Sequence, residues 1–331
     1  IVQQIDQTDK MYHSSRGKLT NDNGQISFVP QLGLSLIENI YYKILIPKKM
    51  KLDLDLYGGS LDIEEINNDI QITKLSGAVR VNNVKGDVDL SNGEGILSMF
   101  NVEGNSNCKV LEGNITISRC KGSFELNTGS GDIITNDFEG TLGLKTYVGD
   151  CTLQNVNCNN IITSTRGGNI FLNSVTSDTS NFKTLAGDII SENLDGVIKL
   201  KTYGGIIDSK NLSGNIEFEN YTGSISADNI HGIITVNAYS GNVFINQFVP
   251  DSNQGEYSNI KLVAGDLALT YVGNQTALEL STQGGTISSN IARIESTFPY
   301  SASFQPETET HRIIVTIFKG NIVLNKGEFR E

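Results

Sequence analysis

Three sets of residues in this 331-residue chain have types and spacings that could do chemistry. The first is a row of acids and amides: Asp132, Asp150 and Asp188, with Asn114, Asn169 and Asn242 in line with them. Such oxygens suit a calcium ion, which takes carboxylate and carbonyl ligands. The second is Lys145, Lys183 and Lys201, which could touch an anionic glycan or surface. The third is Tyr57, Tyr147, Tyr203, Tyr221 and Tyr239, whose rings could lie against sugars. Against these stand His13, His231 and His311, which are scattered along the chain. No Ser/His/Asp or Cys/His set comes together, and no converging acids of the kind that glycan hydrolysis needs. A non-enzymatic protein with no cofactor and no metal is therefore expected.

The elements that position these residues are set by glycine. It recurs every nine residues, at 77, 86, 95, 104, 113, 122, 131, 140 and 149 and again from 187 to 241. A fixed period of this kind is the signature of stacked units. One unit reads Gly196-Val-Ile-Lys-Leu-Lys-Thr-Tyr-Gly204, and its Ile-x-Leu alternation is that of a strand with one face buried. Units with a Thr-rich corner, such as Lys145-Thr-Tyr-Val148, alternate with units carrying an Asn-rich corner, such as Asn211-Leu-Ser213. The repeat is thus a pair of half-coils, about 18 residues long. This predicts an all-β, single-stranded parallel β-helix of about 12 coils, each rising about 4.8 Å, with right-handed coiling as the default for parallel crossovers.

Stacking the coils predicts columns. Two are apolar, one running through Ile66, Val84, Val102, Cys120, Phe138 and on to Phe248, the other through Leu97, Ile115, Ile133, Cys151 and on to Val243. The corner residues Asn83, Asn101, Asp137, Asn155, Asn193, Asn211 and Asn229 are expected to form a buried axial ladder of amides. The tyrosine column also holds Leu75, Leu111, Leu185 and Val263, so it is expected to face the core. The aspartates are expected at solvated corners, and the lysines on a mixed outer face that Glu219 continues. Cys108, Cys120, Cys151 and Cys158 replace apolar or corner residues and are expected as small buried hydrophobes.

The periodic register covers 59–289. Residues 1–58 lack it and are expected as an N-terminal β cap, with strands over Gln25–Val29 and Tyr41–Ile46. Residues 290–331 are expected to end in a capping hairpin turning at Lys319-Gly320. Caps of this kind cover the bare strand edges of a solenoid. The register fails near Cys158 and Ser177, where coils are one residue longer. It fails again at Pro250–Glu256, where a loop carrying Asp251, Asn253 and Glu256 should project. These exceptions and the lysine column are the candidate working surface. The formal net charge of −12 and the lack of a basic patch argue against duplex nucleic acid as a partner. No apolar run is long enough to span a bilayer.

The segments Leu126-Asn-Thr-Gly-Ser-Gly-Asp-Ile133, Phe182-Lys-Thr-Leu-Ala-Gly-Asp-Ile189 and Phe218-Glu-Asn-Tyr-Thr-Gly-Ser-Ile225, with the lead-in from Ile44 to Leu61, carry a resemblance. They resemble the bacterial adhesin domains of β-helix type common in gut Bacteroidetes, related to autotransporter-adhesin heads. The likeness covers roughly residues 40–290. It implies export to the cell surface, envelope or periplasm and a host or cell-surface glycan or protein as partner. It supplies no binding residues. Two other readings stay open: a glycan-binding or glycan-processing β-helix, and a structural or regulatory envelope protein that assembles end to end. The sequence leaves the oligomeric state open.

Overall fold

The positive backbone angles explain how the chain turns. In the computed structural model, Asn83, Asn101, Asp137, Asn155, Asn193, Asn211 and Asn229 all have φ between 51° and 58°, the left-handed conformation that Asn and Asp tolerate best among residues with a Cβ. Each bends its strand and resets the alternation, so the next residue points inward. Val84, Val102, Val156, Leu194 and Leu212 are buried for this reason. The glycine corner works differently. A Cβ on Gly131 would lie 2.2 Å from the Gly113 carbonyl oxygen, and one on Gly149 2.1 Å from that of Gly131. Successive coils approach too closely there for any other residue.

The structure describes residues 46–251, 257–273, 275–291, 301–306 and 309–327, together with the backbone of the strands Val2–Ile5, Met11–Tyr12, Gly17–Asp22, Gln25–Pro30, Tyr41–Ile44 and Glu295–Thr297. It divides into two units, Ile1–Met50 and Lys51–Glu331. In the first, Val2–Ile5 pairs antiparallel with both Met11–Tyr12 and Tyr41–Ile44, and Gly17–Asp22 pairs antiparallel with Gln25–Pro30. The second is a parallel β-solenoid of about 11 turns with an 18-residue repeat and, among the described residues, no helix. Each strand pairs with the residue one coil on, as in Ile115↔Ile133 and Leu126↔Leu144. Both apolar columns line the core along its length. So do the four cysteines, all free thiols. Burial raises the pKa of Cys108 and pushes Cys151 and Cys158 up to about 12.

The extra residues near Cys158 and Ser177 appear as register shifts at the same corner, between Gly140 and Thr141 and again between Ser177 and Ser180. Two boundaries differ from expectation. The solenoid begins before Gly59, because Leu52–Leu56 pairs parallel with Ile70–Ser76 as a first level. At the other end there is no hairpin at Lys319-Gly320. His311–Lys319 lies parallel between Tyr257–Ala264 and Thr276–Thr282. Ile322–Lys326 likewise lies parallel between Leu267–Tyr271 and Ile287–Ser289. The last stretch of chain is a complete coil inserted between two that precede it in sequence. The reason is in its pattern: Ile313, Val315 and Ile317 alternate inward, then Gly320, with φ +152° and a carbonyl of Gly265 under it, makes the same corner as every other coil. Ser301–Phe304 covers the far side of Thr276–Thr282 as an antiparallel strand.

Candidate interaction face

The outer face that carries the tyrosines and lysines is set by the threonine corner. Thr128, Thr146, Thr165, Thr184 and Thr202 are buried. Each hydroxyl donates to a glycine carbonyl of the preceding coil, at 2.8–3.0 Å, from Thr128 to Gly113 through Thr202 to Gly187. Asn92 and Asn220 do the same with a side-chain amide, and Lys74 with its ammonium to Gly59. Burial lowers the pKa of Lys74. In this half-coil, alternation runs without a reset through the polar inward position, as in Leu142, Leu144, Thr146.

The next residue must therefore point out, and this corrects the inward placement of the tyrosine column. Tyr57 is 88% exposed, Leu75 63% and Leu111 60%, and Tyr147, Leu185, Tyr239 and Val263 are exposed as well. Tyr203 and Tyr221 are half-buried because neighbours in the column cover them. With Phe318, which stacks on Val263, eight of the eighteen exposed large apolar side chains among the described residues fall in this one column, which makes it an apolar stripe, interrupted at Gly93, Gly129 and Arg166, rather than scattered surface residues.

The lysines stand beside it, two residues back along each strand. Lys145 lies 6.0 Å from the Tyr147 ring and Arg166 4.9 Å from it; Lys183 and Lys201 lie 5.5 and 4.9 Å from the Tyr203 ring. Lys145 and Lys183 are exposed, Lys201 only half so. Lys201 pairs with Glu219, and Lys199 with both Glu217 and Glu219. Burial pushes the Glu219 carboxyl up, but the two lysines outweigh it and its pKa lies below the usual carboxylate value. Lys145, Arg166 and Lys183 have no ion pair among the described residues and are open to a partner, as are Lys109 and Lys261 in the same column as Lys145.

Tyr203, Tyr221 and Tyr239 stack on one another, with centroids 4.5 and 4.7 Å apart and planes within 12° and 4°. Both faces of Tyr221 are covered by tyrosine. The stack presents ring edges and hydroxyls outward, whereas lying against a sugar needs an open ring face.

The other sequence candidates divide. The aspartate column is structural: the N–H of Asp132 donates to Asn114 Oδ1 at 2.9 Å, that of Asp150 to Asp132 at 2.9 Å, that of Asn169 to Asp150 at 2.7 Å and that of Asp188 to Asn169 at 2.8 Å. One oxygen of each is thus committed to the next coil's backbone. The corner amides do form a ladder, with Asn211 Nδ2 donating to Asn193 Oδ1 at 3.0 Å and Asn229 Nδ2 to Asn211 Oδ1 at 2.8 Å. It is not buried, because the left-handed residue that turns the next side chain inward turns its own side chain out; Asn193 and Asn211 are exposed. Asp251 is exposed and its N–H donates to the Gly232 carbonyl at 3.0 Å. Pro250 still belongs to the strand, paired with Gly232, and residues 252–256 of the expected loop, with Asn253 and Glu256, lie outside the described residues. A depression of about 400 Å³ at the far end of the solenoid is lined by Glu279, Ser281, Ser301, Ser303 and Thr316 among others, with Glu279 its one acid among the described residues. Among the described residues, no group of three or more His, Cys, Asp or Glu is placed to hold a metal ion. Compared with known proteins, the chain matches no family model, no curated protein and no solved structure.

Proposed function

We propose that this chain is an exported, non-enzymatic β-solenoid that serves as an adhesin-type or cell-envelope interaction module. The observation that carries the reading is the stripe of exposed Tyr and Leu side chains, with Lys145, Arg166 and Lys183 beside it, on a rigid stack of parallel coils. A stripe this long and apolar is a cost to solubility unless something covers it. A solenoid can present such a surface without any pocket. The cations select the kind of partner: a cell-surface or host protein that offers acidic groups next to apolar ones. The mutual stacking of Tyr203, Tyr221 and Tyr239 speaks against a neutral glycan held on ring faces. The test is a binding array of host-matrix proteins and glycans probed with the purified chain. Retention on protein features, weakening as salt rises, is the expected result. Retention on neutral glycans alone, or on nothing, would sink the reading.

A further inference from the structure

The same face is charged unevenly along its length. Its first levels are, in spatial order, Leu52–Leu56, Ile70–Ser76, Val88–Glu94 and then the second halves of Leu97–Glu112, Ile115–Ser130, Ile133–Val148, Cys151–Thr165 and Ile170–Thr184. That is eight levels. The first three carry Asp53, Asp55 and Asp89 outward, and the last three carry Lys145, Arg166 and Lys183. All six are exposed, and none has an ion pair among the described residues. The apolar column has a matching unevenness. Gly93 and Gly129 leave notches in it, on either side of Leu111 and just before Tyr147.

We propose that a second copy of this chain docks on these eight levels, antiparallel, about a two-fold axis lying between the levels of Lys109 and Asn127. Such an axis keeps each column opposite its own counterpart and exchanges the first level for the eighth. Asp55 then faces Lys183 of the other copy, and Asp89 lies one column from its Lys145. Tyr57 lies on Leu185. Tyr147 enters the notch at Gly93, and Leu111 the notch at Gly129. Lys109 faces Asn127 with Glu125 beside it, so no like charges stand opposite one another. A parallel arrangement would set Asp55 against Asp55 and Lys183 against Lys183, and repulsion disfavours it. Eight levels of about 4.8 Å span about 38 Å, and three outward columns about 20 Å. The product, about 800 Å² per partner, is that of a stable specific interface. Lys199 and Lys201, already paired with Glu217 and Glu219, lie beyond the overlap. So do Tyr221 and Tyr239, which leaves the tyrosine stack of each copy open, pointing in opposite directions. The inference rests on the stripe being an interaction surface; a second copy and an outside protein use the same Lys145, Arg166 and Lys183, so the two compete for this face.

The full chain tests it directly. Residues 55 and 183 are seven levels apart in one copy, about 34 Å, too far for a short thiol cross-linker within a chain. A chain carrying both Asp55→Cys and Lys183→Cys should be joined into a covalent dimer by a bismaleimide spanning about 10 Å, the spacing of two packed sheet faces, while either change alone should not. By sedimentation, the unmodified chain should be dimeric at micromolar concentration. Asp55→Lys should weaken the dimer about tenfold, and adding Lys183→Asp should restore it to within about threefold. Cross-linking of the single variants, a monomer throughout the concentration range, or no recovery in the charge swap would each overturn the proposal. A monomer that still binds array proteins would remove this inference and leave the proposed function standing; a dimer that binds nothing would do the reverse.

Discussion

Two buried threonines should respond with opposite signs to the same substitution. Thr202 and Thr163 are both fully buried. The Thr202 hydroxyl donates to the Gly187 carbonyl at 2.9 Å and accepts from the Gly205 N–H at 3.1 Å, tying two coils together at the corner. The Thr163 hydroxyl lies in the core between the levels of Leu144 and Phe182 and has no hydrogen-bond partner among the described residues. Valine keeps the shape and removes the hydroxyl in each case. At Thr202 this deletes a hydrogen bond of net worth about 1 kcal/mol and leaves a buried N–H unmet, for about 1–2 kcal/mol more. The expected loss is about 2–3 kcal/mol. At Thr163 the change relieves a buried hydroxyl that gains nothing, and stability should rise by about 1 kcal/mol. Urea unfolding of both variants beside the unmodified chain measures the two shifts, and hydrogen exchange at Gly205 shows whether the loss is local to the corner. Equal losses in both variants, or a silent Thr202→Val, would refute the account of the corner.

Other outcomes follow from the same geometry. With thiols this buried and their pKa values raised, the native chain should show no reaction with a thiol reagent at pH 8, and four reactive groups once denatured. Glu219 has a folded-state pKa below its ordinary value of 4.5. Its contribution is therefore present above about pH 4.5 and is lost as pH falls through the lowered value. The stability gap between the unmodified chain and Glu219→Gln should close on acidification; a gap independent of pH would contradict the Lys199–Glu219–Lys201 network. A stop codon after Thr310 removes the inserted coil and leaves Tyr257–Ala264 and Thr276–Thr282 without the strand that pairs with both. The shortened chain should aggregate or bind a hydrophobic dye, and full solubility with unchanged melting would count against the insertion.

Much of the fold is legible in the sequence because glycine and the apolar columns answer to a single steric rule repeated in every coil. The cysteines are placed by the same columns. The tyrosines are misplaced by pseudo-symmetry. The two half-coils look alike as Gly-x-Ile-x-Leu, but only the Asn half has a left-handed residue to reset its alternation. In the other half the inward position is Thr128 or Thr146, a polar residue that a hydrophobic pattern passes over. Reading those threonines as inward donors would have put the tyrosines outside. The inserted coil is missed for a different reason. Its own pattern, Ile313-Ile-Val-Thr-Ile-Phe-Lys-Gly320, is that of a half-coil, but local sequence carries no signal for a strand that pairs with residues more than fifty positions earlier. The charge gradient from Asp53 and Asp55 to Lys145 and Lys183 is invisible until the columns are stacked.

The claim that the molecule works through its tyrosine–lysine face is tested most directly by comparing two faces in one binding assay. One variant carries Leu111→Ser, Leu185→Ser and Lys183→Glu on that face; the control carries Ile190→Ser and Phe244→Ser, which are exposed on the opposite half-coil. Both should melt within a few degrees of the unmodified chain, since all five side chains are exposed. The account predicts that the first variant loses at least tenfold in affinity for the array proteins the unmodified chain retains, and that the control binds as before. Equal binding by both variants, or loss in the control alone, would contradict it.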